Sequence, residues 1–267
     1  MGLATTLSTG RSVPWKWLAY LASVLVLVAF AAFIGPKVLS TPGVSDAESY
    51  WMLDISDPYA LRAGEGGAFL YSPFVAQVLD PFTLLSREAF YWLMMAANLG
   101  ALVYLVGPIG GALSLLLPPV AEELAQGNIH LLLAAALVAG MTRPGWWAVF
   151  PLTKLTPSLL FAWNPRGLIL TGLIVTASVL TVPELWVQWG ERLVTSSSEV
   201  IPGHKLWTDW PLWFRLALAS VVVLLARWKD KPLALPFALL LSLPIPWWNS
   251  MVVLLAAWRL HGAASPP

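Results

Sequence analysis

The chain has 267 residues, of which 58% are hydrophobic and only 11% are charged. Soluble globular domains carry about 25% charged residues, so this composition excludes a protein whose surface mainly faces water. The net charge of +1 comes without a basic patch, which excludes a nucleic-acid partner, and the absence of cysteine excludes disulfides and thiolate metal sites.

Long apolar segments without Asp, Glu, Lys or Arg follow one another along the chain. A helix needs about 20 apolar residues to cross the hydrocarbon core, and a crossing segment must be helical because lipid offers its backbone no hydrogen bonds. The sequence therefore predicts an all-α polytopic transmembrane bundle that forms a single domain over residues 1–267, with about eight spans including broken or re-entrant segments. The segments are residues 17–34, 89–121, 124–142, 167–183 and 232–258.

The first apolar segment is interpreted as a retained transmembrane helix. It follows Arg11 and Lys16, as the apolar part of a signal peptide would. It is too long for that role, however, and it ends at Gly35-Pro36-Lys37 without a small-residue cleavage site.

Basic residues predict the orientation, because Lys and Arg collect in short cytoplasmic loops. A cytoplasmic N-terminus in the inner (plasma) membrane puts the hydrophilic stretches 37–88 and 183–210 outside. Every acidic residue except Asp230 then lies outside as well. The basic residues assigned to the cytoplasmic face are Arg11, Lys16, Arg143, Arg166, Arg227, Lys229 and Lys231.

Three segments are too irregular for simple spans. Residues 89–121 are long enough for two short spans that turn at Gly107-Pro108 or at Gly110-Gly111. Residues 145–165 are broken by two prolines and bounded by basic residues, which predicts a hairpin that enters from the cytoplasm and returns. The last apolar segment is interrupted at Pro244-Ile245-Pro246.

The order of several short motifs resembles the glycosyltransferase 87 family. These polytopic enzymes of the GT-C architecture take a sugar from a polyprenyl-phosphate carrier. The resemblance extends from residue 17 to residue 258, although family members are longer and often have Trp-His where this chain has Trp248-Asn249. The motifs are DAESY (46–50), FLYSPFVAQVLDP (69–81), EAFYW (88–92), GNIHLLL (127–133), KLTP (154–157) and SLPIPWWN (242–249).

This resemblance implies an inverting membrane glycosyltransferase. It would transfer a sugar such as mannose from a polyprenyl-phosphate donor to an extracytoplasmic lipid or glycan acceptor, with membrane lipids as its other partners. The three histidines are scattered and the acidic residues show no paired spacing, so neither a metal nor another cofactor is expected.

Asp46 is the predicted general base. A carboxylate must take the proton of the acceptor hydroxyl as that hydroxyl attacks the anomeric carbon, and Asp46 matches the family motif. The alternative is that Asp46 helps to cap a short helix together with Ser45. Glu48 lies two positions further on, so it would point to a different face of that helix.

The donor is expected to be bound by residues from the motifs and from the second outer stretch. Lys154 stands out as a single charge in an apolar segment, which usually marks a functional residue, although snorkelling to the interface is the alternative. The sixteen tryptophans are typical of an aromatic belt, and the alternative is that one or two stack on a sugar. The expected donor-binding residues are Glu48, Tyr50, Tyr71, Asn128, Lys154, Arg192, His204, Lys205, Trp248 and Asn249.

Two other functions stay open at this point. One is a non-catalytic membrane subunit or lipid-binding scaffold that keeps the fold without the chemistry. The other is a transporter, which the scarcity of polar residues at the predicted membrane midplane makes less suitable.

Overall fold

The computed structural model describes residues 15–41, 43, 45–62, 65–196, 205–207 and 209–264. This part of the chain is helical throughout, apart from loops and one isolated antiparallel bridge between Lys205 and Trp247. Its α-helices are α1 (Trp15–Leu39), α2 (Asp46–Trp51), α3 (Pro73–Leu79), α4 (Arg87–Ser114), α5 (Pro118–Gln126), α6 (His130–Thr142), α7 (Val149–Thr153), α8 (Gly167–Thr181), α9 (Pro183–Ser196), α10 (Leu212–Lys229), α11 (Leu235–Ser242) and α12 (Ala256–Ala264). Short 3₁₀-helices cover Asp80–Leu84, Pro144–Ala148, Thr156–Ala162, Pro232–Ala234 and Trp248–Leu255.

Two helices, α1 and α4, are long and apolar enough to cross a membrane. The pairs α5–α6 and α8–α9 pass the same test when each is taken as one span, with bends of 102° and 111°. Most of the apolar surface of α1 faces outward, since only 22% of its most apolar window is buried, and lipid is the medium that covers such a surface. The prediction of an all-helical protein with membrane spans is therefore confirmed at the level of two to four candidate spans, and the count of about eight stays a prediction.

The long helix α4 is broken at Gly107. Its backbone there has φ 73° and ψ 168°, and Pro108 follows. A Cβ on Gly111 would lie 3.6 Å from side-chain atoms of both Leu102 and Leu27, although residues nine apart in a straight helix do not touch. The chain thus folds back at one of the two predicted turning points.

Residues 144–163 form a broken helical hairpin between Arg143 and Arg166. Its two ends meet, because a Cβ on Gly167 would lie 2.7 Å from the carbonyl oxygen of Pro144. Its middle reaches the loop before α3, where the Ser72 hydroxyl donates to the carbonyl of Leu152 at 2.5 Å. The hairpin shape agrees with the sequence, and its entry from the cytoplasm stays a prediction.

The last apolar segment is interrupted where the prolines indicated. Helix α11 ends at Ser242 and leaves carbonyl groups that no helical N–H can reach. The guanidinium of Arg215, buried on α10, donates to the carbonyls of Leu241 (3.1 Å), Leu243 (2.7 Å) and Pro244 (2.9 Å). This buried cation stabilises the break, and the chain then continues into the Trp248–Leu255 turn.

The ends of several elements gather at one end of the bundle. Arg87 at the start of α4 donates to the carbonyl of Leu39 at the end of α1 (2.9 Å). Helix α2, the loop before α3, the α5–α6 turn, the middle of the hairpin and the start of the last 3₁₀-helix lie there too. The motif residues of this chain are therefore brought together in space although they are up to two hundred positions apart.

Candidate functional site

The carboxylate of Asp46 points across the bundle and does not cap its own helix. The cap of α2 is Ser45, whose hydroxyl oxygen accepts the N–H of Glu48 at 3.2 Å. Asp46 Oδ2 instead accepts a 2.5 Å hydrogen bond from the side-chain amide of Asn128. Asp46 is half-buried, and its Oδ1 makes no hydrogen bond within the described part of the chain. One carboxylate oxygen is therefore fixed, and the other stays available.

The α5–α6 turn holds Asn128 in position. Gly127 has φ 62°, and a Cβ on it would lie 2.8 Å from the Cβ of Ala47, so glycine allows this turn to approach α2 closely. Asn128 Oδ1 accepts the backbone N–H of Ile129 at 2.7 Å, and the Asn128 carbonyl accepts from Asn98 at 2.8 Å. These contacts fix the orientation of the amide, so its NH₂ group faces Asp46.

Two tyrosines, Tyr50 and Tyr71, pack next to Asn128 on the buried side of the site. The hydroxyls of Tyr50 and Tyr71 lie 2.8 Å apart, and the Tyr50 hydroxyl also donates to Asn128 Oδ1 at 3.3 Å. The rings meet edge to face with centroids 5.4 Å apart. Both tyrosines are buried, so they hold the loop before α3 against α2 and Asn128.

Lys154 interacts electrostatically with the Asp46 carboxylate but forms no ion pair with it. Its ammonium lies 5.2 Å from the centroid of the Tyr71 ring, within range of a cation–π interaction. Within the described residues it makes no hydrogen bond, and no carboxylate lies within 4 Å of it. A half-buried cation without a fixed partner is costly, so Lys154 stays a predicted binding group for an anion.

The surroundings change the proton affinity of Asp46. Burial raises the pKa of Asp46, and the nearby carboxylate of Glu123 raises it further, while Lys154, His130 and the bond from Asn128 act in the opposite direction. A carboxylate with a raised pKa is a better proton acceptor than a solvated one.

A second set of polar side chains forms a hydrogen-bond network near this pair. This closed network consists of Glu123, His130, Asn249 and Ser250, which bond to one another. Glu123 Oε1 accepts the first two N–H groups of α6, from His130 (2.6 Å) and Leu131 (3.3 Å), and so caps that helix. Glu123 Oε2 accepts from the side chain of Asn249 (2.8 Å) and lies 3.1 Å from His130 Nδ1. A carboxylate can only accept, so His130 Nδ1 carries a proton, and His130 Nε2 lies 3.2 Å from the Ser250 hydroxyl, within hydrogen-bond distance.

The order Ser250–His130–Glu123 is also that of the catalytic triads of acyl-transfer enzymes. All three side chains are completely buried, however, and the Ser250 oxygen already accepts the backbone N–H of Trp247 at 3.0 Å. We therefore assign this network to holding α5, α6 and the last 3₁₀-helix together.

The other expected donor-binding residues lie in different surroundings. Glu48 is turned away, as its spacing indicated: its carboxylate accepts from Arg87 (3.0 Å) and from the N–H of Gly43 (2.7 Å). Asn249 belongs to the closed network, while Lys205 and Trp248 line a separate cavity beside it. Arg192 is half-buried on α9, one turn after Trp189, which donates to the Leu70 carbonyl at 3.4 Å. His204 lies outside the described residues.

Sequence reasoning missed the two residues that organise this end of the bundle. Glu123 was taken only as an outer acid and Arg87 was not considered, yet Glu123 caps α6 and Arg87 joins α1, α2 and α4. A signal for Glu123 was present, because an acid that ends an apolar segment just before a Gly-Asn turn can reach the N–H groups of the next helix. In the part of the chain that the structure describes, no group of three or more His, Asp or Glu side chains could hold a metal ion.

No protein-family model, curated protein or solved structure matches this chain.

Proposed function

We propose that this protein is a membrane glycosyltransferase. It would transfer a sugar such as mannose from a polyprenyl-phosphate carrier to a lipid or glycan acceptor outside the cytoplasm, with inversion and without a metal. One observation carries the proposal: the anchored carboxylate of Asp46 interacts electrostatically with the ammonium of Lys154, which lies over the Tyr71 ring and has no ion-pair partner among the described residues. The resemblance of the motif order to the glycosyltransferase 87 family supports it as well.

The proposed reaction uses these two groups for its two charge changes. Asp46 takes the proton from an acceptor hydroxyl while the hydroxyl oxygen forms a bond to the anomeric carbon. The bond from that carbon to the phosphate oxygen breaks on the opposite face, which inverts the configuration. The carrier leaves as a phosphate monoester with one more negative charge, and Lys154 stabilises that charge.

Asn128 and the tyrosines do not react themselves; they position Asp46 and Lys154. The amide of Asn128 holds one oxygen of Asp46, so the other oxygen keeps a defined direction toward the acceptor. Tyr71 supports Lys154 through its ring and is itself fixed by Tyr50 and by the hydroxyl of Tyr59, which donates to the Tyr71 carbonyl at 2.9 Å. A site held in this way needs little rearrangement during the reaction.

The proposal includes a GT-C-like bundle of about eight spans with the site end outside the inner membrane. The exposed position Asp57 suits a labelling test better than Ser45, which is a buried cap. In intact cells a membrane-impermeant thiol reagent should label Asp57→Cys and should not label Lys231→Cys, and lysis should make both reactive. Labelling of Lys231→Cys in intact cells would reverse the orientation.

The activity test uses purified protein in lipid vesicles. Radiolabelled polyprenyl-phosphate mannose and a membrane lipid extract are supplied, and the label is followed into lipid-soluble and glycan products. We expect product with the wild-type chain and at most traces with Asp46→Asn. Equal, background-level incorporation by both proteins across mannose, glucose and arabinose donors would overturn the proposal and favour the non-catalytic scaffold.

A further inference from the structure

A cavity of about 570 Å³ is lined in part by Glu122 and Trp248, which adjoin Glu123 and Asn249 of the closed network in sequence. Its size lies within the range of ligand-binding clefts. It is lined by Glu122, Lys205, Leu206, Trp207 and Trp248. We propose that this cavity binds a sugar ring of the acceptor, as a saccharide subsite separate from the Asp46–Lys154 pair. This inference rests on the proposed function for the role of the sugar, but the binding itself can be tested without transfer.

The lining has the groups that a sugar ring needs. Indole faces pack against the apolar C–H face of a pyranose, and Trp207 and Trp248 supply two of them. Sugar hydroxyls both donate and accept, so the carboxylate of Glu122 and the ammonium of Lys205 can bind different hydroxyls of one ring. Lys205 is half-buried, which makes its hydrogen bonds stronger than those of a fully solvated group, whereas Glu122 is exposed.

The segment that carries Lys205 and Trp207 is held against the rest of the protein. Leu206 donates its N–H to the Pro246 carbonyl at 2.7 Å, and Lys205 pairs with Trp247 through an antiparallel bridge. The Lys205 ammonium lies 5.9 Å from the centroid of the Trp247 ring. The backbone that carries this cation at the cavity wall is therefore held in place.

Trp207 adopts a backbone conformation that a large side chain rarely adopts. Its φ is 52°, in the left-handed region, where strain persists only if the surroundings impose it. The ring stacks on Trp210 (centroids 5.9 Å apart, planes at 18°) and meets Phe237 edge to face (6.3 Å). Strained residues concentrate at ligand sites, and here the strain presents an indole to the cavity.

The cavity shares a wall with the region behind Asp46. Glu122 and Trp248 line the cavity, and their neighbours Glu123 and Asn249 bond to each other at 2.8 Å on the buried side of the same two segments. Glu123 in turn acts electrostatically on Asp46. A glycan bound in the cavity would thus be held by the two segments that also shape the site of transfer.

Saccharide binding is tested with the purified wild-type protein and no donor. Mannobiose, lactose and cellobiose are examined by saturation-transfer NMR, and we expect at least one to receive magnetisation on its ring protons. Trp207→Leu and Glu122→Gln should each weaken that binding by about tenfold, as loss of a stacking face or of a hydrogen bond to a charged group does. The matched control is Trp258→Leu, which removes an exposed indole from a different cavity and should bind like the wild type.

Three results would overturn the inference. The first is that none of the three sugars binds. The second is that the wild type and a folded Trp207→Leu bind sugar equally well. The third is that short-chain phosphatidylethanolamine binds, that Glu122→Gln abolishes this binding, and that no sugar binds. The last result would assign the cavity to a zwitterionic headgroup. Lys205→Met gives a second test if Trp207→Leu does not fold. Asp46→Asn should bind the sugar normally. Sugar binding by the wild type without any transfer would refute the proposed function and leave this inference standing.

Discussion

Two polar regions meet near the start of α6, and they differ in how completely their hydrogen bonds are satisfied. In the closed network every polar atom of Glu123, His130 and Ser250 has a partner, and all three side chains are completely buried. In the Asp46–Lys154 pair, Asp46 uses one oxygen and Lys154 has no bonding partner among the described residues. Satisfied networks hold a fold together, whereas groups kept unsatisfied retain the capacity to bind something else. The comparison therefore indicates a structural role for the first region, and the proposed function places its chemistry in the second.

Asp46→Asn tests the chemical side of this comparison and should have the largest effect. The amide keeps the shape of the side chain but cannot take a proton, so transfer should fall by about 10²- to 10⁴-fold. The thermal unfolding midpoint should stay close to that of the wild type, because Ser45 and not Asp46 caps α2. Transfer is measured in vesicles and unfolding in detergent on the same preparation.

The matched control is Glu48→Gln, two residues away. Glu48 pairs with Arg87 at 3.0 Å, so its substitution should lower stability without affecting the chemical step. If Asp46→Asn keeps most of the transfer activity, or if Glu48→Gln loses as much as Asp46→Asn does, Asp46 is not the base.

Lys154→Met tests the other half of the Asp46–Lys154 pair. The variant keeps the length of the side chain and loses the charge that would stabilise the leaving phosphate. Bonds to charged groups contribute about 1.5–3 kcal/mol, so kcat/KM for the donor should fall by roughly 10- to 150-fold. Because Lys154 makes no ion pair within the described residues, the variant should fold at least as well as the wild type.

Lys154→Arg separates charge from geometry in the same position. A guanidinium keeps the charge but is larger and planar, so it should restore part of the activity that Lys154→Met loses. If Lys154→Met has wild-type kinetics, the ammonium takes no part in transfer and only extends toward the membrane interface.

The sequence predicted which motif residues would meet in space better than it predicted the contacts around them. Asp46, Asn128 and Lys154 lie in short motifs, and the structure brings the first two into direct contact. The role of Glu123 as the cap of α6 was not predicted. The N–H groups that this buried acid accepts come together only once the turn at Asn128 has folded. Asn249 is expected from the sequence to bind the donor, and in the structure its side chain donates to Glu123. The sequence does not reveal this contact, because it does not show that both side chains point into the interior.

The irregular parts of the fold were predictable where proline and glycine mark them. The fold-back at Gly107, the hairpin around Lys154 and the interruption at Pro244 were all indicated by residues that cannot continue a helix. The stabilising contact of Arg215 with the carbonyls after α11 was not, because its acceptors are exposed only once α11 has ended. The number of spans also could not be derived, since short broken helices do not resemble the uniform segment of about 20 residues that hydropathy detects.

Glu123→Leu tests the structural side of the comparison. It removes the acceptor for the N–H groups of His130 and Leu131, and an unsatisfied buried donor costs about 1–3 kcal/mol. The thermal unfolding midpoint should fall clearly. The control is Glu122→Gln, which changes the neighbouring residue on the cavity wall and should unfold like the wild type. Equal stability of Glu123→Leu and the wild type would show that the network does not hold α6 in place.

Glu123→Gln should have the smallest effect, a shift in the pH dependence of transfer. The base must be ionised to act, so the rate should rise as the pH increases through the pKa of Asp46. Burial raises this pKa most, and the negative charge of Glu123 raises it further. Glutamine removes that charge but can still accept the N–H groups of α6. The pKa of Asp46 should then fall, and the variant should keep its activity to lower pH than the wild type does. Glu48→Gln is the control, because Glu48 does not contribute to the raised pKa of Asp46 and its variant should keep the wild-type acid limb. No shift of the Glu123→Gln limb while Asp46→Asn is inactive would show that the two regions are electrostatically independent, and a shift toward higher pH would contradict the expected effect of the Glu123 charge on Asp46.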